Sequence, residues 1–392
     1  MCGSDATIYL DNNATTPLDP RVLEVMMPYL QGKFGNAASQ THVFGHDAMD
    51  AVTRARSQIA KLIGAKADEI VFTSGATEST NLAIKGLAEH LVAGAHLLTV
   101  GTEHKATLDT AHALERQGFE VTYLDVDSDG LLDLDDLKSA LRPETFVVSV
   151  MMANNETGVI APVAEIGEIC RSHGATFHSD AAQAFGKIPI DVNNMMIDLM
   201  SVSAHKIYGP KGCGALYVRR FDETQERGAN LAEQIHGGGH EGGRRSGTLN
   251  VPGIVGLGEA ARLAGLEMAE ERCRLLAFRD RFLSQIQDGL GAAHININGS
   301  MEKRLEGNLN VSFDGVSGET LIMALSKLAV SSGSACNSDT IEPSYVLRGL
   351  GLDDERALGA IRFGFGRFNT EQEIDEAAKI VTQAVTALRQ MA

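Results

Sequence analysis

Short apolar runs alternate with stretches of helical periodicity over the first two thirds of the chain. The runs occupy seven segments, at 69–74, 95–101, 120–126, 145–152, 175–179, 197–202 and 213–218. Between the runs, apolar residues recur at helical spacing, and Gly64 follows one such stretch, at 46–63, where a C-terminal cap is expected. The alternation predicts an α/β domain with a largely parallel sheet that is covered by helices on both faces.

The last third of the chain has a different pattern. A long helical periodicity begins near Gly256 and continues to Ile286. Short strands are then predicted at 295–297 and 310–313, and helices at 319–328 and 371–391. This arrangement predicts a second, smaller α+β domain, with the boundary inside the long helix, at 258/259.

The composition argues against several classes of protein. The 392 residues carry a formal net charge of −17, which argues against a large nucleic-acid-binding face. No apolar run reaches the length of a membrane span, and no secretory signal is visible at the N-terminus, so we expect a cytoplasmic protein. The five cysteines are scattered and include no Cys-x-x-Cys pair, so neither a disulfide scaffold nor a metal site is predicted.

Three segments carry candidate chemistry. Lys206 lies in the Gly- and Pro-rich turn 203–212 between two predicted strands, either as a solvated loop lysine or as an amine that condenses with an aldehyde cofactor. Asp180 ends another strand, where its carboxylate suits a protonated pyridine nitrogen. The segment 69–79 is a strand, a glycine turn and a helix start, whose amides and Thr77 hydroxyl suit a phosphate. Together they predict a pyridoxal-phosphate site.

Several motifs in this order resemble the cysteine desulfurases of the NifS/IscS-like group, in the aspartate-aminotransferase superfamily. The most specific are Ser-Gly-Ala-Thr-Glu-Ser at 74–79, His205-Lys206, Arg-Ser-Gly-Thr at 245–248 and Ser-Ser-Gly-Ser-Ala-Cys at 331–336. The resemblance implies a pyridoxal-phosphate fold type I, with a seven-stranded, mainly parallel sheet in a large domain at 17–258. It assigns residues 1–16 and 259–392 to the small domain, which carries the catalytic cysteine loop at about 331–343.

The same resemblance implies roles for individual residues. The catalytic residues are Lys206, Cys336 and His104. The cofactor-binding residues are Ala76, Thr77, His104, Asn155, Asp180, Gln183, Ser203, His205, Lys206 and Thr248, of which Thr248 reaches the phosphate of a dimer partner. The substrate-binding residues are Asn36 and Arg362. Three alternatives stay open: Asn36 as an Asx-turn residue, His104 as a helix cap, and Arg367 as the alternative pairing partner in place of Arg362.

The implied activity is the pyridoxal-phosphate-dependent conversion of L-cysteine to L-alanine, with the sulfur carried as a persulfide on Cys336 to an acceptor protein. Selenocysteine lyase, or another β-elimination, is the alternative within enzymes, and a cofactor-binding scaffold protein is the alternative outside them. The family is homodimeric. Its members feed iron–sulfur cluster assembly, tRNA thiolation or DNA phosphorothioation, and similar housekeeping desulfurases carry a longer C-terminal tail that docks a scaffold, so the acceptor stays open.

Overall fold

The computed structural model describes residues 7–221, 228–332 and 342–391. In this part of the chain the strands form one seven-stranded, one four-stranded and one two-stranded sheet. The strands are β1 Ile8–Tyr9, β2 Ile70–Thr73, β3 His96–Val100, β4 Glu120–Leu124, β5 Thr145–Ser149, β6 Thr176–Asp180, β7 Leu199–Ser203, β8 Gly214–Val218, β9 Ile295–Ile297, β10 Asn308–Phe313, β11 Leu328–Ala329, β12 Ser331–Ser332 and β13 Ala360–Gly364.

The large sheet has the strand order β2-β8-β7-β6-β5-β3-β4. Every neighbouring pair from β7 to β4 is parallel, and only β8 runs antiparallel to both of its neighbours. The seven predicted apolar runs are these seven strands, so the predicted mainly parallel sheet is confirmed. Strands β2, β3, β7 and β8 are buried along their whole length, as expected for a sheet covered on both faces.

Helices connect and cover the sheets. The α-helices are α1 Pro20–Leu30, α2 Val43–Leu62, α3 Ala76–Ala88, α4 Lys105–Glu115, α5 Leu134–Ala140, α6 Val163–His173, α7 Val251–Leu290, α8 Gly318–Ala324, α9 Tyr345–Gly349, α10 Asp354–Leu358 and α11 Glu371–Met391. Helix α8 ends earlier than the predicted 319–328, because the chain turns at Leu325 into the short strand β11. Among the described residues, no helix combines the length and the apolarity that crossing a membrane requires.

The four-stranded sheet has the order β12-β13-β10-β9, with antiparallel pairs throughout. Strand β1, from the N-terminal arm, pairs in parallel with β11, and the next residue, Leu10, is fully buried in the apolar core beneath this sheet. The N-terminal arm therefore packs on the C-terminal part of the chain.

The long helix α7 joins two apolar cores. Its first half, from Val251 to Leu263, is buried in the core of the large sheet, and its second half, from Leu275 to Ile286, is buried in the core of the four-stranded sheet. The boundary predicted at 258/259 falls in the first half. A helix shared in this way fixes the large sheet against the smaller one.

Candidate active site

One cleft collects the loops that follow the carboxyl ends of β2, β3, β5, β6 and β7. It has a volume of about 810 Å³. Its walls include ten of the predicted site residues, namely Ala76, Thr77, His104, Asn155, Asp180, Gln183, Ser203, His205, Lys206 and Arg362. The parallel strands explain this convergence, because their carboxyl ends meet at one edge of the sheet.

The turn between β2 and α3 forms a cradle for an anion. No side chain caps the N-terminus of α3, which leaves its first amides directed at the cleft, with the positive end of the helix dipole behind them. Gly75 has a φ of 155°, and Gly214 of β8 packs so closely on it that a Cβ at 214 would lie 2.6 Å from the Gly75 Cα. The two glycines therefore set the position of the cradle against the sheet.

Two further side chains complete the cradle. Ser203 ends β7, and His205 lies in the turn that follows, where its Nδ1 is 3.1 Å from the Thr15 hydroxyl. Burial, followed by the charge of Lys206, lowers the pKa of His205 to about 4. His205 is therefore neutral at pH 7, and its ring can share a hydrogen bond with a phosphate oxygen.

Lys206 is held at the floor of the cleft. Its Nζ donates hydrogen bonds to the carbonyl oxygens of Asn13, at 2.6 Å, and Ala14, at 2.8 Å. Burial, followed by the charges of Lys187 and Arg362, lowers the pKa of Lys206 to about 7. A substantial fraction of the amine is therefore unprotonated near neutral pH, which is what nucleophilic attack on an aldehyde requires.

Asp180 ends β6 at the bottom of the cleft. Its Oδ1 accepts a hydrogen bond from the Ala182 amide at 2.8 Å, and no described cation forms an ion pair with it. Burial raises the pKa of Asp180, although the charges of His104 and Lys206 act in the opposite direction. A cationic ring nitrogen beside this carboxylate would relieve the cost of burying the charge.

His104 and Asn155 line the wall of the cleft. The Nδ1 of His104 accepts a hydrogen bond from the Ala106 amide at 3.1 Å, so His104 caps α4 and also faces the cleft. The carbonyl oxygen of the Asn155 side chain is buried and has no hydrogen-bond partner among the described residues. An unpartnered buried acceptor is costly, and a ligand donor in the cleft would satisfy it.

Arg362 lies on β13 and reaches the cleft from the small sheet. It pairs with Asp11 at 2.8 Å and donates to the Asn155 backbone carbonyl at 2.8 Å, while its buried Nε has no partner among the described residues. Arg367, in contrast, is turned away from the cleft and pairs with Asp19 and Glu271. The structure therefore favours Arg362, which has a donor left over, for binding a carboxylate.

Two of the predicted residues that the structure describes do not line this cleft. Asn36 is exposed, and its side chain accepts a hydrogen bond from the Ala38 amide at 2.9 Å, as in an Asx-turn. Thr248 is also exposed and does not line the cleft. Cys336 lies outside the described residues, and Ser332, four positions before it in the chain, lines the cleft.

Two residues of the N-terminal arm belong to the site without having been assigned a role from the sequence. Asp11 pairs with Arg362, and Asn13 supplies a carbonyl to Lys206 and another hydrogen bond to Gln183. Their partners lie between 170 and 351 residues away, so no local pattern could have indicated these pairings.

The described residues fit pyridoxal phosphate. An anion cradle, an amine of lowered pKa, a buried carboxylate and an unpartnered buried acceptor face the same cleft, and each matches one part of that cofactor: the phosphate, the aldehyde, the ring nitrogen and the ring hydroxyl. The fold and the site together define a pyridoxal-phosphate-dependent enzyme with the architecture of the aminotransferases.

Comparison with known proteins narrows this class. Residues 8–377 match the family model described as aminotransferase class-V. The chain is 57% identical over 385 residues to the cysteine desulfurase IscS of Anaeromyxobacter dehalogenans, covering 98% of this chain and 94% of the relative. It is 58% identical over 386 residues to the cysteine desulfurase IscS of Dechloromonas aromatica, covering 98% and 93%.

Solved structures agree with this result. A NifS-like protein superposes with a TM-score of 0.89 at 37% identity, covering 97% of this chain and 100% of that one. SspA in complex with cysteine superposes with a TM-score of 0.79 at 37% identity, covering 93% and 100%. The chain belongs to the class-V aminotransferase family and, within it, to the cysteine desulfurases.

Proposed function

We propose that this chain removes sulfur from L-cysteine, releases L-alanine and passes the sulfur to an acceptor through a persulfide on Cys336. The observation that carries the proposal is the convergence of Lys206, Asp180 and Arg362 on one cleft, in a chain that is 57% identical to cysteine desulfurases over nearly its whole length. Bound pyridoxal phosphate would supply an electron sink for the substrate carbons.

Four residues of the cleft have a role in this reaction. Lys206 attaches the cofactor and then moves a proton at the substrate carbon, for which its pKa of about 7 is well matched to neutral pH. Asp180 stabilises a protonated ring nitrogen. Arg362 binds the α-carboxylate through its remaining donors, and His104 lies at the cleft where it can move a second proton.

Cys336 performs the sulfur transfer. Its thiolate bonds to the sulfur of the substrate while the bond between that sulfur and the substrate Cβ breaks. The electron pair of the broken bond goes to the substrate carbons, which take up protons and leave as alanine. A persulfide is left on Cys336, and a thiol of the acceptor then attacks its outer sulfur.

Replacing Cys336 by Ser tests the transfer step. We expect Cys336→Ser to keep the visible absorption of the bound cofactor, because Lys206 and Asp180 are intact, but to release no sulfide and only background alanine from cysteine. Absorbance, alanine analysis and persulfide detection by mass spectrometry measure these outcomes. Cys273→Ser is the matched control, since Cys273 is an exposed free thiol on α7. Undiminished persulfide transfer by Cys336→Ser would exclude Cys336 as the carrier.

Replacing Arg362 by Lys tests carboxylate binding. Lysine lacks the planar guanidinium that can donate two hydrogen bonds to one carboxylate. Loss of the guanidinium should raise the KM for cysteine about 10- to 100-fold, because hydrogen bonds to charged groups contribute about 1.5–3 kcal/mol. Initial rates over a range of cysteine concentrations measure the effect. Arg367→Lys is the control and should lower the melting temperature through its pairs with Asp19 and Glu271, with little change in KM. Equal KM values for Arg362→Lys and the unmodified enzyme would contradict the assignment.

We infer that the working form is a homodimer. Large apolar side chains are exposed around α1 and the start of α2, where Phe34 is 72% exposed and its ring stacks on Phe44 at 5.6 Å. Their apolar neighbours are also exposed, at Leu23, Leu30 and Val43. A patch of this kind favours a protein partner. Thr248, exposed and away from its own cleft, is free to reach the cleft of a partner subunit. Sedimentation at micromolar concentration should give twice the mass of the 41.8 kDa chain.

We further propose that the acceptor is a protein of iron–sulfur cluster assembly and that the enzyme works in the cytoplasm. The support is the high identity to relatives that carry the name cysteine desulfurase IscS. Two cysteines in the described part of the chain, Cys213 and Cys273, are free thiols, which suits a reducing compartment. Capture of the persulfide-labelled enzyme with candidate acceptors tests the first part.

A further inference from the structure

A second lysine, half-buried, lies just behind the first. Lys187 lies in the turn that follows β6, two residues before Pro189, and its Nζ donates to the Oε1 of Gln183 at 3.4 Å. It forms no ion pair with any carboxylate in the part of the chain that the structure describes. Removing an ammonium from much of its water is costly when it has only one long hydrogen bond, so its presence here calls for a physical reason.

The backbone forces Lys187 into this position. Gly186 has a φ of 72°, and a Cβ at this position would lie 3.0 Å from Ala264 of α7 and 3.0 Å from Ile207, the residue next to Lys206. Only a glycine allows the turn to pack this closely between α7 and the turn that carries Lys206. Lys187 is therefore held against the site by tight packing of the main chain.

Gln183 connects the two lysines. Its Oε1 accepts hydrogen bonds from the Nζ of Lys187 and from the side-chain amide of Asn13, each at 3.4 Å. Its Nε2 donates to the backbone carbonyl of Asn13 at 2.8 Å. That same carbonyl accepts from Lys206 at 2.6 Å. Because a lysine ammonium has only donors, Lys187 requires the oxygen of the Gln183 amide on its own side. The NH₂ group of Gln183 is thereby turned the other way.

On the side of Lys187 that faces away from Gln183, the described residues do not fully neutralise its charge. A cavity of about 30 Å³ is lined by Lys187, Glu271 and Glu306, together with Arg272 and Tyr208. Burial lowers the pKa of Lys187 to about 8, and the charge of Arg362 acts in the same direction. The charge of Glu271 acts in the opposite direction, because it stabilises the protonated amine. Lys187 is still mostly protonated at pH 7.

We propose that Lys187 is a positioning residue for the desulfurase reaction: it fixes the amide of Gln183 and places a positive charge behind the amine of Lys206. The charge disfavours a proton on Lys206 and so keeps that amine nucleophilic. The inference builds on the proposed function, but its first consequence concerns the chain without cofactor or substrate.

The other charges facing Lys206 do not replace this effect. Arg362 also disfavours a proton on Lys206, while Asp180 and Asp11 favour one. After burial, the charge of Lys187 is the largest cause of the lowered pKa of Lys206. His205, next in the chain to Lys206, is neutral at pH 7 because burial lowers its pKa to about 4.

The test measures the amine of Lys206 directly. The cofactor-free protein is acetylated at a series of pH values, and the extent of modification at Lys206 is read by peptide mass spectrometry. The midpoint is the pH at which Lys206 reaches half of its maximal modification. In Lys187→Met, which removes both the donor and the charge, we expect this midpoint to rise by about one pH unit. A rise of that size lowers the unprotonated fraction at pH 7 about fivefold, so pyridoxal phosphate should be taken up about fivefold more slowly at that pH.

Three further variants test whether the charge of Lys187 causes the shift. Lys187→Gln keeps a donor for Gln183 without the charge and should shift the midpoint as Lys187→Met does, which also covers the case in which the Met variant fails to fold. Lys187→Arg keeps the charge and should stay near the unmodified midpoint. Lys61→Met removes an exposed charge at the end of α2 and should change nothing.

Unshifted midpoints in both neutral variants would overturn the proposal, as would an equal shift in Lys187→Arg. The proposed function is tested separately, by alanine production from cysteine in the unmodified holoenzyme. A shifted midpoint in an enzyme without that activity would support the role of Lys187 and reject the proposed function.

Discussion

Lys206→Ala should abolish the visible absorption of the bound cofactor and lower alanine production from cysteine by about 10⁴-fold or more, the upper end of what one proton-transferring group contributes. Two losses combine in this variant. The chain no longer has an amine at the floor of the cleft to attach the cofactor, and the group of pKa about 7 that moves the substrate proton is removed with it. Absorption spectra after reconstitution and alanine analysis measure both.

Two controls separate chemistry from folding. Lys206→Arg keeps a positive charge close to the carbonyls of Asn13 and Ala14 but has no nucleophilic amine, so it should be as inactive as Lys206→Ala. Lys61→Ala removes an exposed lysine and should behave as the unmodified enzyme. A Lys206→Ala protein that stays coloured and turns over cysteine normally would refute the role of this residue.

Asp180→Asn should lower the rate of alanine production by about 200- to 5,000-fold, because removing one partner of a buried charge pair costs about 3–5 kcal/mol. The amide cannot keep a ring nitrogen protonated, so the cofactor loses much of its power to withdraw electrons. Activity with saturating cofactor, together with the absorption spectrum as a function of pH, measures the effect.

The stability of the cofactor-free protein distinguishes this effect from damage to the fold. Burial raises the pKa of Asp180, so the ionised carboxylate costs stability above its unfolded pKa, and a neutral amide side chain removes that cost. The oxygen of the substituted amide can still accept from the Ala182 N–H. The melting temperature of the cofactor-free variant should therefore be equal or higher at pH 7. A clearly lower melting temperature, or unchanged activity, would contradict the assignment of Asp180.

The fold of the large sheet could be predicted from the sequence because its signals are local. A buried strand in a parallel sheet is a short apolar run, and all seven runs became strands. Their order, with the antiparallel β8 between β2 and β7, could not be read, because neighbours in the sheet are set by packing between distant segments. The early end of α8 was missed for a similar reason, since β11 is only two residues long and exists by pairing with β1.

The candidate site was predictable where a motif carries its own backbone requirement. The Gly75 turn, the strand end at Asp180 and the turn of Lys206 each combine a local geometry with one functional side chain, and the structure brings all three to one cleft. His104 shows the limit of such inference. The sequence offered a helix cap or an active-site residue as alternatives, and in the folded chain His104 caps α4 and also lines the cleft.

By itself, the sequence determined the strands, the turns and the set of residues able to carry the chemistry, since these depend on neighbours within a few positions. The tertiary structure alone decided which charges face each other. Arg362 meets Asp11 across 351 positions, and Lys187 is packed behind Lys206 because a glycine lets two turns touch. Electrostatic interactions depend on distance in space and on burial, and neither exists until the chain has folded.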